Sequence, residues 1–280
     1  NTTNSGFTSR HNFIARSRVV ELLGRPHCDM LQQDRYLIPG VDVSLKFNRS
    51  TSAFHLISGV NCKTQIINAT LFIRKVKLSS SLELHHASLL GQGKRAKYPL
   101  RRGIVTTFTE GTGSLSFNKE NVVSGQLPRR VIVGFVENSA FNGTRDKNPF
   151  NFQHFNLTYL TLTTGKQNFP SQPLKLNYGE GEYLQGYGSL MMGLGLTNAD
   201  RGIEVHRDNY VHGNVLYAFD LTADMAEGAH VDPISTGNLR MDAAFSTGLA
   251  APVNVIVYAE YDNVLQIDRA RNILTDFQSS

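Results

Sequence analysis

The chain has 280 residues, 40 % of them hydrophobic and 18 % charged, with 24 glycines, 16 phenylalanines and no tryptophan. A chain of this length buries roughly 70–75 % of its unfolded surface, so it needs no disulfide or structural metal, and its composition excludes a disordered polypeptide. The formal net charge of +5 is basic but dilute, and no apolar run reaches the roughly 18 residues that cross a bilayer, so a soluble, non-secreted protein made in the cytosol is predicted.

Residues 1–16 are polar and aperiodic and read as a flexible arm or linker; residues 17–280 read as one domain. Gly24-Arg25-Pro26 breaks the irregular apolar stretch that precedes it. Val41, Val43, Leu45 and Phe47 alternate with Asp42, Ser44 and Lys46, which predicts a strand with one wet face entered through Pro39-Gly40. Ile67, Ala69, Leu71 and Ile73 form a second inward row, and the shift of phase to Val76 and Leu78 predicts a bulge at Arg74-Lys75. Ser80-Ser-Leu-Glu83 fits a capping box, with Leu82, His86, Leu89 and Leu90 on one face of a short helix ended by Gly91 and expected to cover an open end of the strands. Further strands are predicted at 103–109, 115–117, 130–136, 156–163, 214–221 and 238–245, joined by long loops at roughly 79–102, 137–155 and 164–213.

The last strand, at 251–268, is the longest. Val253, Val255, Val257, Ala259 and Tyr261 share one face, and Asn254, Ile256, Tyr258, Glu260 and Asp262 the other. Both faces are apolar in the middle, which predicts a strand covered on both sides. Eight to ten strands, one or two short helices and no βαβ rhythm indicate an all-β protein, a jelly-roll β-sandwich of eight or more antiparallel strands with long loops.

Candidate chemistry is sparse. His85-His86 are adjacent and diverge on any regular element, so they are poorly placed to share a metal, and no metal or cofactor is expected. The glycines between Gly179 and Gly195 lack the Lys-Ser/Thr of a phosphate loop and read as turn and helix-packing residues, with Tyr183, Leu184, Tyr187, Leu190, Met191 and Leu194 as an apolar helical stripe. Asp220, Asp224, Asp242, Glu260, Asp262 and Asp268 supply carboxylates, and a glycosidase needs two of them across one cleft. Asp262-Asn263 also reads as a strand-end turn and Asp268-Arg269 as a local ion pair. Cys28 and Cys62 form no Cys-X-X-Cys motif and read as idle thiols; five glycosylation sequons, at Asn1, Asn48, Asn68, Asn142 and Asn156, matter only in a secreted protein. Lys94, Arg95, Lys97, Arg101 and Arg102 form the one dense basic cluster: either a weak phosphate contact with nucleic acid, or a solvated loop or a contact with acidic groups of a neighbouring subunit.

Several phrases resemble the major capsid proteins of Polinton (Maverick) elements and adintoviruses. They are Ser124-Gly-Gln-Leu-Pro-Arg-Arg-Val-Ile-Val-Gly-Phe-Val136, Ala140-Phe-Asn-Gly143, Asn148-Pro-Phe-Asn-Phe-Gln-His-Phe-Asn-Leu157, Leu216-Tyr-Ala-Phe-Asp-Leu-Thr222, Gly237-Asn-Leu-Arg240 and Asn254-Val-Ile-Val-Tyr-Ala-Glu-Tyr-Asp-Asn263; Leu23-Gly-Arg-Pro-His-Cys-Asp29 is similar as well. The resemblance implies a double jelly roll, of which this chain matches the C-terminal part. It also implies a non-enzymatic capsid subunit that self-associates into trimeric pseudo-hexagonal capsomers and contacts other capsid proteins such as a penton subunit. Such a protein is made in the host cytoplasm, assembled there or in the nucleus, and located in the virion. Phe150, Phe152 and Phe155 are candidates for a subunit interface, and equally for plugs of the domain's own core. The alternative function is a lectin-like jelly-roll module whose end loops hold a ligand.

Overall fold

The computed structural model describes residues 5–165, 167–197, 200, 202–222 and 233–276. They form two units, Asn1–Tyr36 and Leu37–Ser280. The first contains helix α1 (Ser5–Ile14), where the sequence has no helical stripe, and a single helical turn α2 (Asp29–Gln32).

The second unit opens with the short helix α3 (Ser52–His55) and helix α4 (Ser80–Gly91) and then builds its sheets. Strands β1 (Ala96–Glu110), β2 (Ser116–Gln126) and β3 (Arg130–Glu137) come first, followed by α5 (Asn138–Asn142), β4 (Leu157–Thr164) and β5 (Gln167–Lys175). Helices α6 (Leu184–Gly193) and α7 (Arg207–Tyr210) lead to β6 (Leu216–Asp220), β7 (Thr236–Phe245), β8 (Val253–Ile267) and the short β9 (Ile273–Thr275).

One sheet runs β1-β8-β3-β6, with β9 against the end of β8, and the other runs β2-β7-β4-β5. Every pairing is antiparallel. Apart from the β4–β5 hairpin and the short β9, successive strands alternate between the sheets, and each sheet interleaves early and late strands; this is the order produced when an eight-stranded hairpin is rolled up, so the fold is a jelly roll. The connections β1–β2, β3–β4, β5–β6 and β7–β8 consequently meet at one end. There the Gly113 amide donates to the Leu249 carbonyl at 2.8 Å and the Ser246 amide to the Asn156 carbonyl at 2.9 Å.

The core lies between the sheets. Val253, Val255 and Val257 of β8, Val131, Val133 and Phe135 of β3, Leu157, Leu160 and Leu162 of β4, and Leu239 and Met241 of β7 are fully buried there. Each such side chain contributes about 1.5–3 kcal/mol relative to exposure. Phe135 meets Phe245 edge to face at 6.0 Å and Tyr217 at 6.2 Å, so aromatic rings tie the sheets together across the middle.

Several expectations are corrected. Residues 41–47 and 67–73 are not strands: they join no sheet and make no backbone–backbone hydrogen bond among the described residues. The second face of β8 is not covered throughout, since Ile256, Tyr258, Glu260 and Asp262 are only half-buried. Helix α4 forms at its predicted place, but its N-cap position is Ser79, whose side chain makes no capping hydrogen bond, no capping box is made, and none of its residues is buried. The predicted loop at 164–213 contains an unpredicted strand, β5, while α6 forms where the helical stripe was predicted, with Tyr183, Tyr187, Leu190 and Leu194 of that stripe packed in or against the core. On α6 the buried face is made of small residues, Gly186, Ser189 and Gly193 with Leu190, while Leu184 and Met192 are exposed.

Candidate functional site

The described carboxylates among those predicted are engaged in ion pairs and turns. Asp262 and Glu260 project from the outer face of β8, where Arg129 donates to Asp262 at 2.9 Å and Arg130 to Glu260 at 3.1 Å. Burial lowers the Arg130 guanidinium pKa, an effect opposed by the adjacent Glu260. Asp242 is held by Arg240 at 2.8 Å, Asp220 accepts from the amide and hydroxyl of Thr222, and Asp268 accepts from Asn272. Asp224 lies outside the described residues. Among the described residues no group of three or more His, Cys, Asp or Glu is arranged to hold a metal, and on α4 His85 is exposed while His86 is half-buried.

The basic cluster splits along β1. Antiparallel register sets Arg101 opposite Asp262 and Arg102 opposite Tyr261. Arg101 therefore pairs with Asp262 at 3.6 Å, while Arg102 stacks over the Tyr261 ring at 4.7 Å and donates to Asn263. Lys94, Arg95 and Lys97, all exposed, line an open cleft of about 430 Å³ with Gly93 and Gln266, and Arg95 donates to the Gln266 side chain at 3.2 Å.

The three phenylalanines of the β3–β4 connection part company. Phe155 packs against the core from a left-handed backbone position, φ 45°. Phe152 lies over Gly134, where an added Cβ would come within 2.8 Å of its ring, and bridges in parallel to Asn214. Phe150 is 64 % exposed and meets the ring of Phe54 edge to face at 5.7 Å. Arg145 of the same connection anchors the preceding chain by donating to the Val60 carbonyl at 3.0 Å, the Cys62 carbonyl at 2.9 Å and the Asn61 side chain at 2.6 Å.

A cluster that sequence reasoning missed joins the β3–β4 and β5–β6 connections. The His154 ring stacks on Tyr178 at 4.1 Å, Tyr178 on Tyr183 at 5.7 Å and Tyr183 on Tyr210 at 6.3 Å. The Tyr178 and Tyr217 hydroxyls share a hydrogen bond of 2.7 Å, and Tyr210 donates to the Leu216 carbonyl at 3.0 Å. Burial pushes the Tyr178 hydroxyl up to about 12 and raises Tyr210 and Tyr217 as well, so all three hydroxyls stay neutral. Burial also depresses His154, whose Nδ1 accepts the Asn156 amide at 3.0 Å. The available signal was density: half of the chain's 10 tyrosines fall between Tyr178 and Tyr217.

No family model matches the sequence. The chain is 22 % identical over 291 residues to an uncharacterized protein of Caenorhabditis elegans, a match covering 98 % of this chain and 66 % of that relative, just under two thirds of its length. Among solved structures, PBCV-1 VP54 fitted into a cryo-EM reconstruction of the virophage Sputnik is 12 % identical, with 72 % of this chain and 55 % of that one covered and a TM-score of 0.44. The quasi-atomic PBCV-1 virus capsid is 12 % identical over 66 % of this chain and 52 % of that one, with a TM-score of 0.42. Likeness of that extent carries no argument about what this chain does.

Proposed function

We propose that this chain is a structural, non-enzymatic protein of capsid type, acting by self-association, with a trimeric pseudo-hexagonal capsomer as its unit, a penton-like protein among its partners and the virion as its location. The observation that carries the reading is the coincidence of two independent features. The sheet order is that of a jelly roll, and the phrases that resemble Polinton and adintovirus capsid proteins fall on its strands β3, β6, β7 and β8 and on the β3–β4 connection. A jelly roll alone hosts many functions, so the phrases set the class. The carboxylates neutralised by arginines on an open sheet face agree with a body built for contacts. Within this reading Phe150, exposed beside Phe54, is an interface residue, while Phe152 and Phe155 support it from the body; Lys94, Arg95 and Lys97 form a second contact, for acidic groups of a neighbouring subunit or for phosphates.

Light scattering of the purified chain over a range of concentration and salt tests the proposal. The expected mass is three times 31.1 kDa, or that of a larger closed assembly, with Phe150→Ala weakening association while leaving the melting temperature unchanged. A mass of 31.1 kDa at every concentration refutes self-association by this chain.

A further inference from the structure

Charge is distributed along this chain far less evenly than its net value suggests. Residues 41–103 carry 11 lysines and arginines against Asp42 and Glu83, while residues 104–280 carry 12 against 18 carboxylates. The net charge of +5 therefore conceals a basic stretch followed by an acidic body. In that body many cations are already spent: Arg129 holds Asp262, Arg130 holds Glu260, Arg240 holds Asp242 and Glu120, and Lys147 holds Glu137. The basic stretch is different. Its cleft of about 430 Å³ is lined by Lys94, Arg95 and Lys97 with Gln266, and a second open cleft, of about 520 Å³, is lined by Arg49 and Lys63 with Thr64 and Gln65. All five cations are exposed, and among the described residues no carboxylate lines either cleft. Asp268, on which Arg95 acts, is held first by Asn272.

We infer that these two clefts hold the phosphodiester backbone of a nucleic acid, without regard to its base sequence. Five cations with no carboxylate among them make a positive surface that an anion neutralises, and the groups beside them, the Gln65 and Gln266 amides and the Thr64 hydroxyl, are of the kinds that donate to phosphate oxygens. Neither cleft is lined by an aromatic ring on which a base could stack, so the contact carries no sequence information. Three of the five cations are lysines, point charges that suit phosphate; a carboxylate is better met by the fixed fork of arginine. Lys46, Arg74, Lys75 and Lys77, all exposed, continue the charge along the same stretch, which suits a polymer carrying one charge per ~1.7 Å of duplex better than a folded acidic patch. A second copy is the poorer partner, because Asp262, Glu260, Asp242 and Glu137 of its sandwich already hold cations. The inference rests on the reading above in taking Lys94, Arg95 and Lys97 as a contact surface; it chooses between the two partners left for them and adds Arg49 and Lys63.

Fluorescence anisotropy of a labelled DNA duplex of about 20 base pairs and mixed sequence, titrated with the full chain at several salt concentrations, tests it. At roughly 0.9 per phosphate contact, five contacts give a slope of about −4.5 in log affinity against log salt, a loss of about 500-fold between 50 and 200 mM. Lys94→Gln combined with Arg95→Gln should make the slope shallower by about 2, and Lys63→Gln, in the other cleft, by about 1. All three side chains are exposed, so the melting temperature should not change; Lys175→Gln, an exposed cation outside both clefts, should leave the slope as it is. A duplex of a different sequence should bind equally well. No binding at 50 mM salt overturns the inference, and so does a slope that the cleft variants leave unchanged. Poly-glutamate that displaces the duplex at equal charge makes an acidic protein the partner and overturns it too. Light scattering of the same samples separates this result from the capsid reading: DNA binding by a monomer refutes self-association alone, and a trimer that binds no DNA refutes the phosphate contact alone.

Discussion

Gly193 closes α6 against the edge strand β6, and its replacement by alanine measures how tightly the helix is seated. A Cβ at Gly193 would stand 2.7 Å from the carbonyl carbon, the oxygen and the Cβ of Ala218. Ordinary contact begins near 3.4 Å, and the obstacle is backbone that cannot rotate away: Ala218 is in register with Ile132 of β3. Relief therefore requires α6 to lift from the sheet, which exposes Leu190 and loosens the tyrosines behind it. Overpacking of this kind costs about 1–3 kcal/mol, against less than about 1 kcal/mol gained from the better helix propensity of alanine. At roughly 2–4 °C per kcal/mol, Gly193→Ala should lower the melting temperature by about 2–8 °C in a thermal scan followed by circular dichroism. Gly188, one turn earlier on the same helix, is the control, because the nearest atom to its added Cβ is the Met192 Cε at 3.9 Å. Gly188→Ala should hold or raise the melting temperature. If Gly193→Ala melts at or above the wild type, α6 is not seated as described.

Two further perturbations probe the charged and titratable groups. His154 is depressed in the folded chain, chiefly by burial and also by His212, so the unfolded chain binds the proton more readily. The stability it contributes is present above the ordinary histidine pKa of about 6.5 and is lost as pH falls below it. The melting temperature should therefore drop in mild acid, and His154→Phe, which keeps a ring on Tyr178 but cannot accept the Asn156 amide, should start lower and fall less steeply; an equal slope assigns the acid sensitivity elsewhere. Arg130→Met leaves Glu260 half-buried without its cation and should cost about 3–5 kcal/mol, much of it recovered in the Arg130→Met, Glu260→Met double variant; a single variant that melts with the wild type shows that the pair is solvated.

The strands legible in the sequence are those whose inner rows are β-branched or aromatic and whose partners lie within the chain. Val131-Ile-Val133, Leu157 to Leu162 and Val253 to Val257 bury one face against each other, so their periodicity and their structure coincide. Strand β5 was not legible, because Pro170 and Pro173 interrupt the pattern; an edge strand tolerates both, since its outer amides need no partner. The beginning of β1 was hidden for the same positional reason. Its outer face carries Lys97, Pro99 and Arg101, which read as a basic loop until register with Asp262 and Gln266 places them on a sheet.

The opposite discrepancy is the more informative. At 41–47 and 67–73 the alternation is as regular as in β8, yet no ladder forms. Periodicity reports which residues are suited to line one face of a sheet; it cannot report whether the covering sheet is on the same chain. The tyrosine and histidine cluster was invisible for a related reason. Tyr178 and Tyr217 are 39 residues apart, and their shared hydrogen bond exists only because α6 folds back between β5 and β6. Local pattern thus reads strand identity and inner face well. Where a strand finds its partner, and which distant rings stack, is decided by topology.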